Sequence, residues 1–325
     1  MKIPFVLLSI LVATALTFTH KNDPTWATFK NRFLKHYNTP EDELYRYKIF
    51  TENMQLASFY NDIDNEASYG ITEFSDRLPS ELFIDVTEFG NDNDIEGIDE
   101  VPEVDLSDND IPDWFDWRIR GGVTHVKNQG QCGSCWAFAA VGCAEGAHYV
   151  KSKVLVALSE QELVDCDSSN KGCNGGKSGK ALNWAKKHGG FMNETDYPYK
   201  ASRGTCLFDP SKAIVKVSAT YPLKKKKPEN MQNAIISFGP IAVSLDAGKF
   251  QFYHNGIMNG TGCSSSKHNH AVLVVGWGVD PNTKTKYWII KNSWGPYWGE
   301  NGYVRLVRNI NACGVENDPT FAITN

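Results

Sequence analysis

No cysteine occurs in the first 131 residues, so the front third of the chain folds without disulfides. Lysine and arginine are missing between Asp85 and Asp110, a stretch that holds eleven acids. After the opening segment no apolar run has the length of a membrane-crossing helix, which excludes a polytopic membrane protein. A second Cys-x-x-Cys is absent, and no carboxylate–histidine–cysteine cluster has metal-ligand spacing, so neither a paired zinc ribbon nor another metal site is expected. Nothing points to an organic cofactor. The one dense basic run, Lys224 to Lys227, is short and adjoins Pro228, which suits an exposed turn and not a nucleic-acid groove.

What is present begins with Lys2 and an apolar stretch from Ile3 to Leu16, broken by Ser9 and Thr14, with Ala13 and Ala15 at A-x-A spacing. That is a signal-peptide pattern over residues 1–16; it places the protein in the secretory pathway, free of the membrane once the signal is removed. The 325 residues leave room for a further segment and a catalytic unit, and 41% hydrophobic and 12% aromatic residues supply a large core. Charge is divided. Residues 1–110 hold 8 Lys and Arg against 22 Asp and Glu, and the remainder hold 25 against 16, giving −14 and +9. The acidic stretch 85–110 reads as a solvated linker. An acidic front portion docked on a basic back portion is also expected to loosen as carboxylates protonate, near pH ~4.

Two helical stretches precede the linker. In the second, Asp42, Arg46, Ile49, Phe50, Asn53, Ala57 and Asn61 share one helical face. The alternation from Gly70 to Asp76 suits a short strand. A new domain begins after Ile111-Pro112. It opens with helices (residues 135 to about 150; one started by a capping box at Ser159 to Glu162; Ser178 to His188, stopped by Gly189-Gly190) and continues with strands at 241–245, 271–277, 286–290 and 303–307. Helices first and strands later indicate an α+β unit with a helical lobe and a sheet lobe.

Gln129-Gly130-Gln131-Cys132-Gly133-Ser134-Cys135-Trp136 contains the signature C-G-[SA]-C-[WY], and His270 follows Cys135 by 135 residues, Asn292 by 157. Cys173-Asn174-Gly175-Gly176, Lys291-Asn292-Ser293-Trp294-Gly295 and Trp298-Gly299-Glu300-Asn301-Gly302 complete a set that resembles the papain family of cysteine proteases. The face from Asp42 to Asn61 and the segment Gly70 to Asp76 resemble the interspersed propeptide motif of the cathepsin L-like subgroup, with Asp42, Ala57 and Thr72 as departures. The resemblance implies a two-lobe fold with a β-barrel-like second lobe, an inhibitory propeptide (17–84), an activation region in the linker (85–110) and a peptidase domain (111–325). It implies a zymogen of a cysteine endopeptidase that acts on protein and peptide substrates.

A free thiol has a pKa near 8.5, so a cysteine nucleophile needs help at neutral or acidic pH. Cys135 at a helix N-terminus has the positive end of the dipole, and an imidazolium beside it stabilises the thiolate further. By resemblance His270 is that imidazole, Asn292 orients it, Trp294 shields the contact from water, and Gln129 with the Cys135 N–H holds the oxyanion. Gly175 and Gly176 let substrate backbone approach. The second substrate pocket (S2) maps to Lys177, Ser178, Ser244, His268, Ala271 and Asp318, and Trp294 and Trp298 join the substrate-binding set. Two readings of Asp318 stand side by side: it receives a substrate arginine, or Lys177 neutralises it internally. The resemblance also implies disulfides Cys132–Cys173, Cys166–Cys206 and Cys263–Cys313, leaving Cys143 as a small buried thiol.

Other readings compete. Cys132 and Cys135 alone fit a dithiol redox centre or half a zinc site, His268 and His270 an HxH metal pair, and the whole chain an inactive binding or storage homologue. The span from Cys173 to Cys206 leaves no room for the inserted loop of a carboxydipeptidase relative, so an endopeptidase is expected. Asn193 and Asn259 head glycosylation triplets with Thr195 and Thr261. A monomer, cystatin-like inhibitors as partners, and a lysosomal, vacuolar or extracellular destination complete the expectations.

Overall fold

The computed structural model describes residues 22–84 and 111–325. The signal reading of 1–16 and the acidic linker of 85–110 lie outside the described residues. Helix α1 (Pro24–Arg32) starts where the Asp23 carboxylate accepts from the N–H groups of Thr25 and Trp26, with proline at the first helical position. Helix α2 (Pro40–Ile63) is capped by Thr39, and Glu41, Asp42 and Glu43 lie at its positive end. Trp26, Phe29, Tyr47 and Phe50 form a small core between the two helices.

The expected face of α2 grips the residues that follow it. The Asn53 side-chain amide donates to the carbonyls of Ser75 and Arg77, both at 2.9 Å, and Asn61 exchanges two hydrogen bonds with the Tyr69 backbone. Arg46 reaches Glu81, 2.8 Å away, in the short helix α3 (Pro79–Leu82).

The strand expected over Gly70–Asp76 is not formed. Strand β1 (Ala67–Tyr69) ends before it, and residues 73–76 make a turn. Thr72 and Ser75 satisfy the backbone locally: the Thr72 hydroxyl accepts from the Phe74 N–H, and the Ser75 hydroxyl from the Thr72 N–H. Side chains that serve their own backbone displace a ladder.

After β2 (Phe115–Asp116) come helices α4 (Cys135–Ser152), α5 (Gln161–Cys166) and α6 (Ser178–His188). Strands β3 (Phe191–Met192), β4 (Ala213–Val215) and β5 (Val217–Pro222) follow, then α7 (Pro228–Phe238) and β6 (Ile241–Leu245). The chain closes with β7 (Tyr253–Met258), β8 (His270–Val279), β9 (Lys286–Lys291), β10 (Tyr303–Val307) and β11 (Thr320–Thr324). The order β1-β7-β10-β9-β8-β6-β11-β5 runs through one sheet. Its first strand belongs to the front segment, so that segment is stitched to the sheet edge. Ala67 faces Gly256 in this antiparallel pair. Gly256 has φ of 93°, and a Cβ there would stand 2.2 Å from the Glu66 carbonyl oxygen, so only glycine permits the junction.

The two lobes have separate cores. Trp136, Leu163, Leu182 and Phe191 sit in the helical one; Trp277, Trp288, Phe250 and Phe252 sit in the sheet. Helix α4 lies between them, its residues from Cys135 to Ala147 all buried. Only the serine half of the expected capping box exists. The Ser159 hydroxyl accepts from the Glu162 N–H, but the Glu162 carboxylate accepts from the Met192 N–H of β3 instead of turning back. Disulfides join Cys132 to Cys173, Cys166 to Cys206 and Cys263 to Cys313, and Cys135 and Cys143 are free and buried. Lys224 to Lys227 form an exposed turn before α7.

Candidate active site

Strand pairing assembles the site. His270 opens β8, and Asn292 follows the last residue of the adjacent β9, so the sheet carries both to one end. Cys135 is the first residue of α4, with Ser134 before it as cap. The thiol lies among three backbone N–H groups: its own, that of Trp136, and that of Ala271, the residue after His270. Cys135 therefore lies beside the start of β8, the strand that His270 opens.

The Asn292 side-chain oxygen receives two donors, the Ser293 N–H at 2.8 Å and His270 Nε2 at 2.7 Å. With the Ser293 N–H fixing an oxygen there, Nε2 must carry the proton. Nδ1 is left as a basic nitrogen. Trp294 packs over the imidazole, ring centres 5.0 Å apart, and is itself buried.

Gln129 is fixed from three sides. Its N–H donates to the Ser293 carbonyl at 2.8 Å, its side-chain oxygen accepts from the Ser293 hydroxyl at 2.7 Å, and Nε2 donates to the Cys132 carbonyl at 2.9 Å. An amide nitrogen has two protons, so one donor remains. Ser293 is a residue that sequence reasoning passed over, although it lies inside the quoted landmark around Asn292.

The front segment covers His270 and Trp294. The Phe83 ring approaches His270 edge-on at 6.4 Å, and Phe74 and Phe83 both pack on Trp294. Ile84 presses on Gly133 so closely that a Cβ there would lie 2.2 Å from its Cδ1. Burial pushes the Cys135 thiol up to about 11, and burial pushes His270 down to about 4 against the opposing hydrogen bond to Asn292.

The remaining expected residues fall into two sets. Gly175 has a φ of 97°, and a Cβ on Gly176 would meet Asn170 Oδ1 at 2.5 Å. Ser178 donates to the Trp136 carbonyl, and Ser244 faces Ala271 across β6 and β8, so each reaches the residue that follows Cys135 or His270. Lys177 lies 3.0 Å from Asp318 Oδ2, which is the internal arrangement of the two considered. Trp298 stands a layer deeper, buried behind Trp294 with its N–H on the Phe250 carbonyl. His268 contacts Asp318 and Asn317 while His270 contacts Asn292, so the HxH pair does not converge. Asn193 caps an exposed turn with Thr195, and Asn259 Nδ2 donates to the Ile63 carbonyl of the front segment.

Residues 111–323 match the papain family cysteine protease domain, and residues 26–82 match the cathepsin propeptide inhibitor domain. The chain is 38% identical over 317 residues to a viral cathepsin of Adoxophyes honmai nucleopolyhedrovirus, covering 94% of this chain and 92% of that protein. It resembles the digestive procathepsin L 3 of Tenebrio molitor larval midgut, with TM-score 0.79, 35% identity, and 92% and 98% of the two chains covered. A recombinant stem bromelain precursor gives TM-score 0.81 at 32% identity, covering 93% of this chain and 99% of that one.

Proposed function

The chain belongs to the papain family of cysteine proteases, and on that premise we propose that Cys135 is its nucleophile, His270 its acid–base, Asn292 the residue that orients His270, and Gln129 an oxyanion donor. The protein is a cysteine endopeptidase made as a zymogen, with a propeptide inhibitor domain ahead of the peptidase domain.

In the proposed reaction the Cys135 thiol yields its proton to His270 Nδ1, and the sulfur attacks the scissile carbonyl carbon. The oxyanion rests between the second Gln129 Nε2 proton and the Cys135 N–H, donors fixed before the reaction begins. His270 then passes its proton to the departing amine, leaving a thioester. Water, deprotonated by the same nitrogen, releases the acid and restores the thiol. The observation that supports this best is the double donation to Asn292 Oδ1, which leaves Nδ1 as the basic nitrogen. Trp294 keeps water from that contact.

We assign residues 1–16 to a signal, 17–84 to the inhibitory propeptide, 85–110 to the region cut on activation, and 111–325 to the mature enzyme. Gly175 and Gly176 receive the substrate backbone, and Lys177, Ser178, Ser244, His268, Ala271 and Asp318 surround a substrate side chain. A secretory route to a lysosome, vacuole or the exterior, a monomeric enzyme, inhibition by cystatin-like proteins, and glycans on Asn193 and Asn259 belong to the same proposal. The complete set of Gln129, Cys135, His270 and Asn292 opposes an inactive binding or storage homologue. Replacing Cys135 by serine tests the assignment. Peptidase activity of the processed protein should fall at least about a thousandfold, and full activity in Cys135→Ser would refute it.

A further inference from the structure

Asp318 is fully engaged inside the protein. Lys177, 2% exposed, places Nζ 3.0 Å from Oδ2. His268 Nδ1 stands 3.4 Å from the same oxygen, and Lys225 Nζ stands 3.7 Å from Oδ1. The state of His268 follows from its other nitrogen, which lies 3.1 Å from Asn317 Nδ2. The Asn317 amide cannot turn over, because Nδ2 also donates to the Ser265 carbonyl and Oδ1 accepts from Asn311. His268 Nε2 therefore accepts, and Nδ1 directs its N–H toward Asp318.

This cluster adjoins the reactive pair. Lys177 occupies the cap position of α6, the next residue Ser178 is bonded to the Trp136 carbonyl, and Ser244 pairs with Ala271, the residue after His270. An arriving guanidinium would find both Asp318 oxygens occupied and two ammonium groups beside it. An arriving acceptor would find the N–H donors that Lys177 does not use on Asp318.

We propose that the Lys177–Asp318 pair makes this pocket a receptor for acidic or amide side chains at P2, the second substrate residue before the scissile bond, and excludes arginine and lysine. The inference rests on the cysteine endopeptidase reading and names its substrate class. A site built around hydrogen bonds rejects a side chain that leaves them unmade.

Peptide substrates differing only at P2 (Glu, Gln, Leu or Arg) test it on the matured enzyme. We expect kcat/KM for Glu and Gln to exceed that for Arg by about tenfold or more. Lys177→Leu, which frees the Asp318 carboxylate, should reverse the order in favour of Arg. Should that variant fold poorly, Lys177→Leu with Asp318→Leu removes both charges and should abolish the advantage of Glu over Leu. Arg equal to or better than Glu in the unmodified enzyme overturns the proposal. Titration of the active thiol with a peptidyl epoxide separates the two levels. With no titratable thiol the endopeptidase reading falls and this inference with it; with a titrated thiol and Arg preferred, the pocket proposal alone falls.

Discussion

The Ser293 hydroxyl donates to Gln129 Oε1 across 2.7 Å, tying the loop after β9 to the segment that leads into α4. In the proposed reaction that bond decides which end of the Gln129 amide faces the substrate carbonyl. Gln129→Ala is expected to lower kcat by about 10²–10³-fold with little change in KM, the cost of one oxyanion donor. Ser293→Ala should cost less but in the same parameter. Steady-state kinetics check both, and a loss confined to KM would contradict the role.

In the proposed reaction Asn292 acts only through its hydrogen bond with His270, so its removal should disturb proton transfer and spare substrate binding. Asn292→Ala is expected to reduce kcat by about ten- to a hundredfold and to shift the pH–rate profile, because the imidazole loses the partner of Nε2. An unchanged pH profile would remove Asn292 from the mechanism.

Much of this site was legible in local patterns, and the reasons for the rest are physical. Cys135, His270 and Asn292 stand in short landmarks whose residue types are dictated by chemistry. The face of α2 was readable because helical periodicity needs no tertiary information. Gly70 to Asp76 misled because alternation looks the same whether a ladder or the Thr72 and Ser75 hydroxyls satisfy the backbone. Glu162 misled in the same way: its capping geometry was offered locally, but the Met192 N–H, 30 residues on, won the carboxylate. Helix α7 went unread beside the Lys224–Lys227 turn, as did strands β5, β7 and β11. The Lys177–Asp318 bond spans 141 residues, and pattern alone left its existence open.

The propeptide is anchored by a buried ion pair. Lys249 Nζ lies 2.9 Å from Asp64 Oδ2, both side chains are fully buried, and the ammonium also sits over the Tyr60 and Tyr69 rings. Removing one partner of a buried pair costs about 3–5 kcal/mol, since the other charge is stranded. Asp64→Asn should therefore speed maturation of the full precursor near neutral pH by at least tenfold, and adding Lys249→Met should restore much of the latency. Time courses of processing read this out. An Asp64→Asn precursor as latent as the parent would refute the anchor.

Glu162 is expected to make the peptidase domain more stable in acid. Burial pushes its carboxyl up to about 9 from an ordinary 4.5, against one hydrogen bond from the Met192 N–H. Between those values the folded protein holds a proton that the unfolded chain releases, so stability falls as pH rises. The slope from this group is at most about 1.4 kcal/mol per pH unit. Melting temperatures of the inhibitor-blocked mature enzyme should decline from pH 5 to pH 8, and Glu162→Gln should flatten the decline. An identical slope in the variant would contradict the assignment.

The most direct measurement uses the two free thiols as each other's control. Cys135 and Cys143 are both buried in the precursor, but only Cys135 is the first residue of α4, with the Ala271 N–H that follows His270 close by. A peptidyl epoxide added to the matured protein should inactivate it with one molecule bound, mapped by mass spectrometry to Cys135. Complete inactivation with Cys135 unlabelled, or full labelling of Cys135 with peptidase activity intact, would contradict the account.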